Sequence, residues 1–133
     1  MENYKVAAVT DDGVTISQHF GRAMFYEVLS VESGKVVKRE RREKMGRYNF
    51  AQEEHHHSNE RHGFDESSHN KHVSMAEVIK DCKILIARGM GAGAYQSMRQ
   101  LNIKPVVTDI RNIDDAVQSV INETIINHIE KLH

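Results

Sequence analysis

The sequence predicts an α/β fold on a mixed five-stranded sheet, an antiparallel meander first and then α-β-α-β-α. Three observations lead there. Short apolar, β-branched runs alternate with turn residues as far as Arg42. A helix-capping signature opens the second half at Ser74. Two further short apolar runs are each followed by a helix start, the arrangement of parallel βαβ units with helices on the sheet faces.

Lys5–Val9 (KVAAV) reads as a buried strand ending in the turn residues Thr10-Asp11-Asp12-Gly13. Val14–Ile16 is a brief extended piece, and Ser17–Arg22 (SQHFGR) a loop with Gly21 as its flexible point. Met24–Val31 is aromatic and β-branched, a second strand. Glu32-Ser33-Gly34 is a hairpin signal. Lys35–Arg42 begins apolar and turns charged, as an edge strand does.

Composition then changes sharply. From about residue 44 to 72 aliphatic residues are few, and Glu, His, Asn, Ser and Arg dominate. A long segment of this kind within a compact domain is functional or disordered. Beyond it, Ser74-x-x-Glu77 matches a capping box with Val73 and Val78 as a hydrophobic staple, predicting a helix from Met75 to about Asp81. Ile84–Ala87 is a buried strand. Arg88–Ala94 (RGMGAGA) is a glycine-rich turn into a helix reaching about Leu101, and Lys104–Val107 is the last strand. Asn112 caps a final helix with Asp114 and Asp115 in its first turn. Apolar residues from Ile113 through Val120, Ile125 and Ile129 to Leu132 keep helical spacing to the end. The strand ends near Asp11, Gly89 and Thr108 point to one sheet edge, where open α/β sheets bind ligands.

The 133 residues suit one domain, 1–133, with the histidine-rich stretch as an insert. Net charge is −1, which supplies no basic field for nucleic acid. No apolar run approaches membrane-spanning length, and the N-terminal stretch lacks a signal-peptide core. One cysteine, Cys82, excludes an intramolecular disulfide and fits a cytoplasmic setting.

Three segments together resemble one family. They are Val9–Gly13 followed by Ile16-Ser17-Gln18-His19-Phe20-Gly21-Arg22-Ala23, then Asp81–Ala94 with its Arg88-Gly89-Met90-Gly91-Ala92-Gly93-Ala94 run, and Val106-Val107-Thr108-Asp109. They resemble the dinitrogenase iron–molybdenum cofactor biosynthesis family, over nearly the whole chain except the histidine-rich insert and the C-terminal end. The resemblance implies a ribonuclease-H-like three-layer α/β/α fold without nuclease activity. It also implies binding of an iron–molybdenum-type or other metal–sulfur cluster, or its precursor, and a place among cofactor-assembly proteins.

The cofactor-binding candidates are Asp11, His19, Phe20, Gly21, Arg22, Gly89, Met90, Gly91 and Gly93. His19 offers an imidazole to a transition metal, or else hydrogen-bonds its own turn. Gly89–Gly93 precedes a helix, where free N–H groups and the helix dipole favour an anion. It lacks the lysine of a Walker loop and the spacing of a dinucleotide fingerprint, and a plain strand-to-helix turn also needs glycine. Met90 offers a soft thioether. Cys82, just before a strand, reads as core.

The metal-ligand candidates are His19 and the insert's His55, His56, His57, His62, His69 and His72. Histidine-rich tracts signal metal affinity, and His57-x4-His62 has finger-like spacing. Glu53, Glu54, Glu60, Asp65 and Glu66 add oxygen donors, but the pattern is not a recognised closed site.

The expected function is a non-enzymatic cluster carrier, with no catalytic residue. A histidine-loop store or chaperone for nickel, zinc or copper is the alternative. A nuclease-like hydrolase built on Asp11, Asp12 and Asp109 is a more distant one. The basic stretch from Lys35 to Arg47 reads mainly as a charged edge strand.

Overall fold

The structure, a computed structural model, describes residues 3–44 and 75–132. The histidines at 55, 56, 57, 62, 69 and 72, the capping Ser74 and the staple residue Val73 all lie outside them.

Five strands form one mixed sheet: β1 (Asn3–Thr10), β2 (Phe25–Glu32), β3 (Lys35–Glu43), β4 (Ile84–Ala87) and β5 (Lys104–Val107), in the order β3-β2-β1-β4-β5. β1, β2 and β3 make the antiparallel meander, and β4 and β5 continue from β1 in parallel. Ser33 and Gly34 form the two-residue hairpin turn with φ of 52° and 78°. Two positive φ values match the type I′ turn, whose twist suits a tight hairpin.

β1 is the centre of the core. Val6, Ala7, Ala8 and Val9 are each 0% exposed, so both faces of the strand are covered. Successive residues of β2 show what covers them. The Tyr26 hydroxyl donates to Met75 O at 2.9 Å, so the helical segment at Met75–Glu77 packs on one face. Glu27 points to the other face, where Arg39 bridges it (2.6 Å) to Asp114 of a second helix (2.7 Å).

Helix α1 (Ala92–Gln100) connects β4 to β5, and α2 (Ile113–Ile121) follows β5. The Asn112 side chain accepts the Asp115 N–H at 3.0 Å, the expected cap. The segment after Met75 is tighter than a regular α-helix. It is helical over Met75–Glu77 and then turns to Asp81 with three-residue bonds such as Ile79 N to Ala76 O.

The last helix does not run to Leu132. It stops at Ile121 in a Schellman motif. Thr124 N bonds to Ser119 O and Glu123 N to Val120 O, with Glu123 at φ 61°. The stop is invisible in the apolar spacing because a glutamate takes the left-handed position usually held by glycine. The following chain covers the outer edge of β5. Asn127 Oδ1 accepts Val107 N, Asn127 Nδ2 donates to Pro105 O, and His128 N bonds to Val107 O. Satisfying an exposed strand edge competes successfully with extending the helix.

Candidate functional site

The parallel strands β1, β4 and β5 end at the same sheet edge, and their loops assemble there. At the exit of β1, the Asp12 carboxylate accepts Val14 N (2.8 Å) and Thr15 N (2.7 Å). Those backbone bonds lower its pKa to about 2. Asp11 Oδ1 accepts Met24 N at 2.8 Å and pins the return of the loop. Both aspartates hold turns.

Between Asp12 and Met24 the chain makes one compact turn. Ser17 N bonds to Val9 O, and the Ser17 hydroxyl accepts His19 N at 3.1 Å. His19 O accepts both Arg22 N and Ala23 N. This turn locks onto the loop leaving β4 through Arg88 N to Ser17 O and Phe20 N to Gly89 O, each 3.0 Å. Gly89 is required for that approach, because a Cβ there would stand 2.4 Å from Gln18 O. At Gly21, by contrast, a Cβ would meet nothing within 4 Å.

The two loops present His19, Gly21 and Arg22 to solvent and draw Phe20 inward. The His19 ring makes no hydrogen bond or ion pair among the described residues. Phe20 stacks obliquely near Tyr26, with ring centroids 6.4 Å apart. Gly91 is the N-cap of α1. It supplies no side-chain cap, and no acidic residue lies in the first turn. The N–H groups of Ala92, Gly93 and Ala94 have no acceptor within the helix, which leaves a positive helix end beside the glycine loop.

Met90 departs from the expected ligand role. It is 1% exposed and belongs to the core, where a flexible apolar thioether gains more from packing than it would at the edge. Phe20, also buried, anchors the loop from below. Cys82 behaves as core. Burial pushes its thiol up to about 12, well outside the range of a ready thiolate.

Lys44 departs from the charged edge that the sequence predicts for the basic stretch around it. It follows a strand of largely exposed basic residues, yet it is only 4% exposed. Its ammonium donates to Phe20 O and lies 4.4 Å from the centre of the Phe20 ring. Burial lowers its pKa to about 8, against the opposing pull of Asp11. No pattern of spacing marks it, because the contact joins the residue after β3 to a loop far away in sequence.

The basic side chains of β3 itself are largely paired. Arg39 holds Glu27 and Asp114, and Arg42 holds Glu40 and Asp81. Asp109, the other carboxylate of the hydrolase alternative, pairs with His128 and Lys131. Among the described residues no group of three or more His, Cys, Asp or Glu side chains converges on a metal-sized site.

A family model described as dinitrogenase iron-molybdenum cofactor matches residues 2–123. No curated protein matches the chain. Solved structures share its fold. A protein of Methanocaldococcus jannaschii, provisionally described as a dinitrogenase, superimposes with a TM-score of 0.65 at 13% identity, covering 94% of both chains. The apo form of the orange protein of Desulfovibrio gigas gives 0.64 at 16% identity, covering 92% of this chain and 90% of that one. A Thermotoga protein provisionally described as NifB gives 0.59 at 16% identity, over 93% and 92%.

Proposed function

The chain belongs to the dinitrogenase iron–molybdenum cofactor family, and from that premise we propose that it is a non-enzymatic carrier of a metal–sulfur cluster. The cargo is an iron–molybdenum-type or related cluster, or its precursor, seated where the Ser17–Arg22 turn meets the Gly89–Gly93 loop. In this reading residues 1–133 form one cytoplasmic domain of the ribonuclease-H-like type, a fold name supported by the strand order β3-β2-β1-β4-β5.

One observation carries the proposal. Two loops with no regular structure are bonded to each other through the backbone, and Gly89 is the contact point that admits no side chain. The locked turn leaves His19 exposed, and the loop it bonds to runs into the uncapped start of α1.

That donor set suits an anionic cluster better than a bare cation. His19 supplies a single nitrogen ligand. Arg22, exposed in the same turn, supplies a positive charge, and the first turn of α1 supplies N–H groups for sulfide or oxide. No thiolate is on offer among the described residues, since Cys82 is buried. The cluster is therefore held by few covalent bonds and many weak contacts. Such binding fits a protein that hands its cargo to assembly partners.

The test is anaerobic reconstitution with iron and sulfide, with and without molybdate, followed by visible charge-transfer absorption. The proposal predicts bands that weaken strongly in His19→Ala, with amide shifts confined to residues 17–23 and 88–94. Bands that are unchanged in that variant, or shifts elsewhere, refute it. Metal bound only through residues 53–72 favours the ion-store alternative instead.

A further inference from the structure

Residues 124–132 form a strap along the outer edge of β5. Asn127 accepts Val107 N at 2.9 Å and donates to Pro105 O at 3.2 Å, so one side chain answers two backbone groups of that edge. His128 N bonds to Val107 O at 2.8 Å, and the His128 ring and the Lys131 ammonium reach Asp109. The apolar hold is small. Ile125 and Leu132 are half-buried against the core, whereas Ile126 and Ile129 are 64% and 56% exposed. These bonds run from the strap to β5 and to Asp109 just beyond it, and none requires strap and strand to belong to the same chain.

The hinge between α2 and the strap is held in an unfavourable conformation. Glu123 stands at φ 61°, where a side chain is disfavoured and glycine is the usual occupant. Closing the turn uses Glu123 N to Val120 O and Thr124 N to Ser119 O. With α2 continued through Thr124, Glu123 N would bond to Ser119 O and Thr124 N to Val120 O, so no hydrogen bond is lost. The helical spacing of Val117, Val120, Ile121 and Ile125 crosses the hinge and suits that path. The family match spans residues 2–123, and the strap begins just beyond it.

A strap that departs along this path uncovers Val107 N, Val107 O and Pro105 O, and an open strand edge recruits a replacement. The replacement that needs no new contact is the same segment of a second copy. We propose that two copies of this chain exchange residues 124–132, each strap lying on the β5 edge of the other copy. The closed and exchanged forms share every strap contact and differ at the hinge, where only the closed form holds Glu123 left-handed. A short hinge under strain favours exchange. The exchange is independent of the site proposed above.

Sedimentation equilibrium of the full chain, together with isotope-filtered NMR on protein refolded from an equal mixture of labelled and unlabelled chain, tests this. A tethered strap competes at an effective concentration of about 1 mM, so the measurements extend to that concentration. The proposal predicts a dimer in which the Asn127 side-chain amide and the Ile129 methyls of one copy show nuclear Overhauser effects to Val107 of the other. Glu123→Gly relieves the closed hinge roughly fivefold, and a dimer has two hinges, so its association constant falls about 25-fold. Glu123→Val, β-branched and worse at positive φ, raises it. Both changes are at an exposed position outside the core. A monomer at every concentration overturns the proposal. So does a dimer whose strap contacts stay within one chain, or a Glu123→Gly variant that associates as the parent does.

Discussion

Replacing Gly89 with alanine tests the junction on which the candidate site depends. The added Cβ would lie 2.4 Å from Gln18 O, about 1 Å short of ordinary contact. The obstruction is backbone, so no side-chain rotation relieves it. The Ser17–Ala23 turn must withdraw by about that distance. A shift of 1 Å stretches Phe20 N to Gly89 O and Arg88 N to Ser17 O, both 3.0 Å, beyond hydrogen-bond range. Two such bonds contribute about 1 kcal/mol each, and residual overpacking adds about 1 kcal/mol or more. The expected loss is about 2–4 kcal/mol, or roughly 6–20 °C in Tm for a chain of this length. Urea denaturation followed by circular dichroism measures it. Gly21→Ala is the matched control, because its Cβ meets nothing and its φ lies outside the left-handed region. That variant stays within about 0.5 kcal/mol of the parent. Equal stability of the two variants refutes the reasoning, since the loops would then not be tied through Gly89.

Four further outcomes follow from the same contacts. Asn112→Ala removes the cap on Asp115 N and lowers stability by about 1 kcal/mol in the same denaturation assay. Hydrogen bonds from Arg42, aided by Lys5, hold the Asp81 carboxyl well below the usual carboxylate range. Its contribution is present above the unfolded pKa near 4 and is lost as pH falls, so Asp81→Asn makes the acid side of the stability–pH curve shallower. Lys44 gives a slope of the same sign at higher pH, from the desolvation of a buried ammonium. Its folded pKa of about 8 lies below the ordinary lysine value of 10.5, so the unfolded chain binds more protons between those values and stability rises with pH there. Lys44→Met removes that rise, measured as the difference between the two stability–pH curves. Cys82, with its thiol pushed up to about 12 by burial, resists iodoacetamide in the native protein and reacts at the rate of unfolding.

Much of this architecture follows from local signals in the chain. Ile84–Ala87 and Lys104–Val107 are uniform apolar runs between turn residues, and both strands have those bounds. Ser33-Gly34 and Asn112 act through bonds to near neighbours, so their residue types announce them. The positions that spacing misplaces are decided by distant contacts. Ile125 and Ile129 keep helical spacing with α2, but the free edge of β5 claims the chain between them. Met90 sits in a loop of small residues, yet the core takes its side chain. Lys44 belongs to a basic run, and only the folded meander brings it beneath Phe20. At the candidate site, the glycine run and His19 are visible in one dimension. Their union through Gln18 and Gly89 is a three-dimensional fact.

The central claim concerns what the edge formed by His19 and Gly89 holds. Elemental analysis of tag-free protein purified without oxygen tests it most directly, on the parent, on His19→Ala and on a chain lacking residues 53–72. The account predicts iron or molybdenum together with sulfide, greatly reduced in His19→Ala and kept in part by the shortened chain. Zinc, nickel or copper alone, indifferent to His19→Ala and lost with residues 53–72, contradicts it.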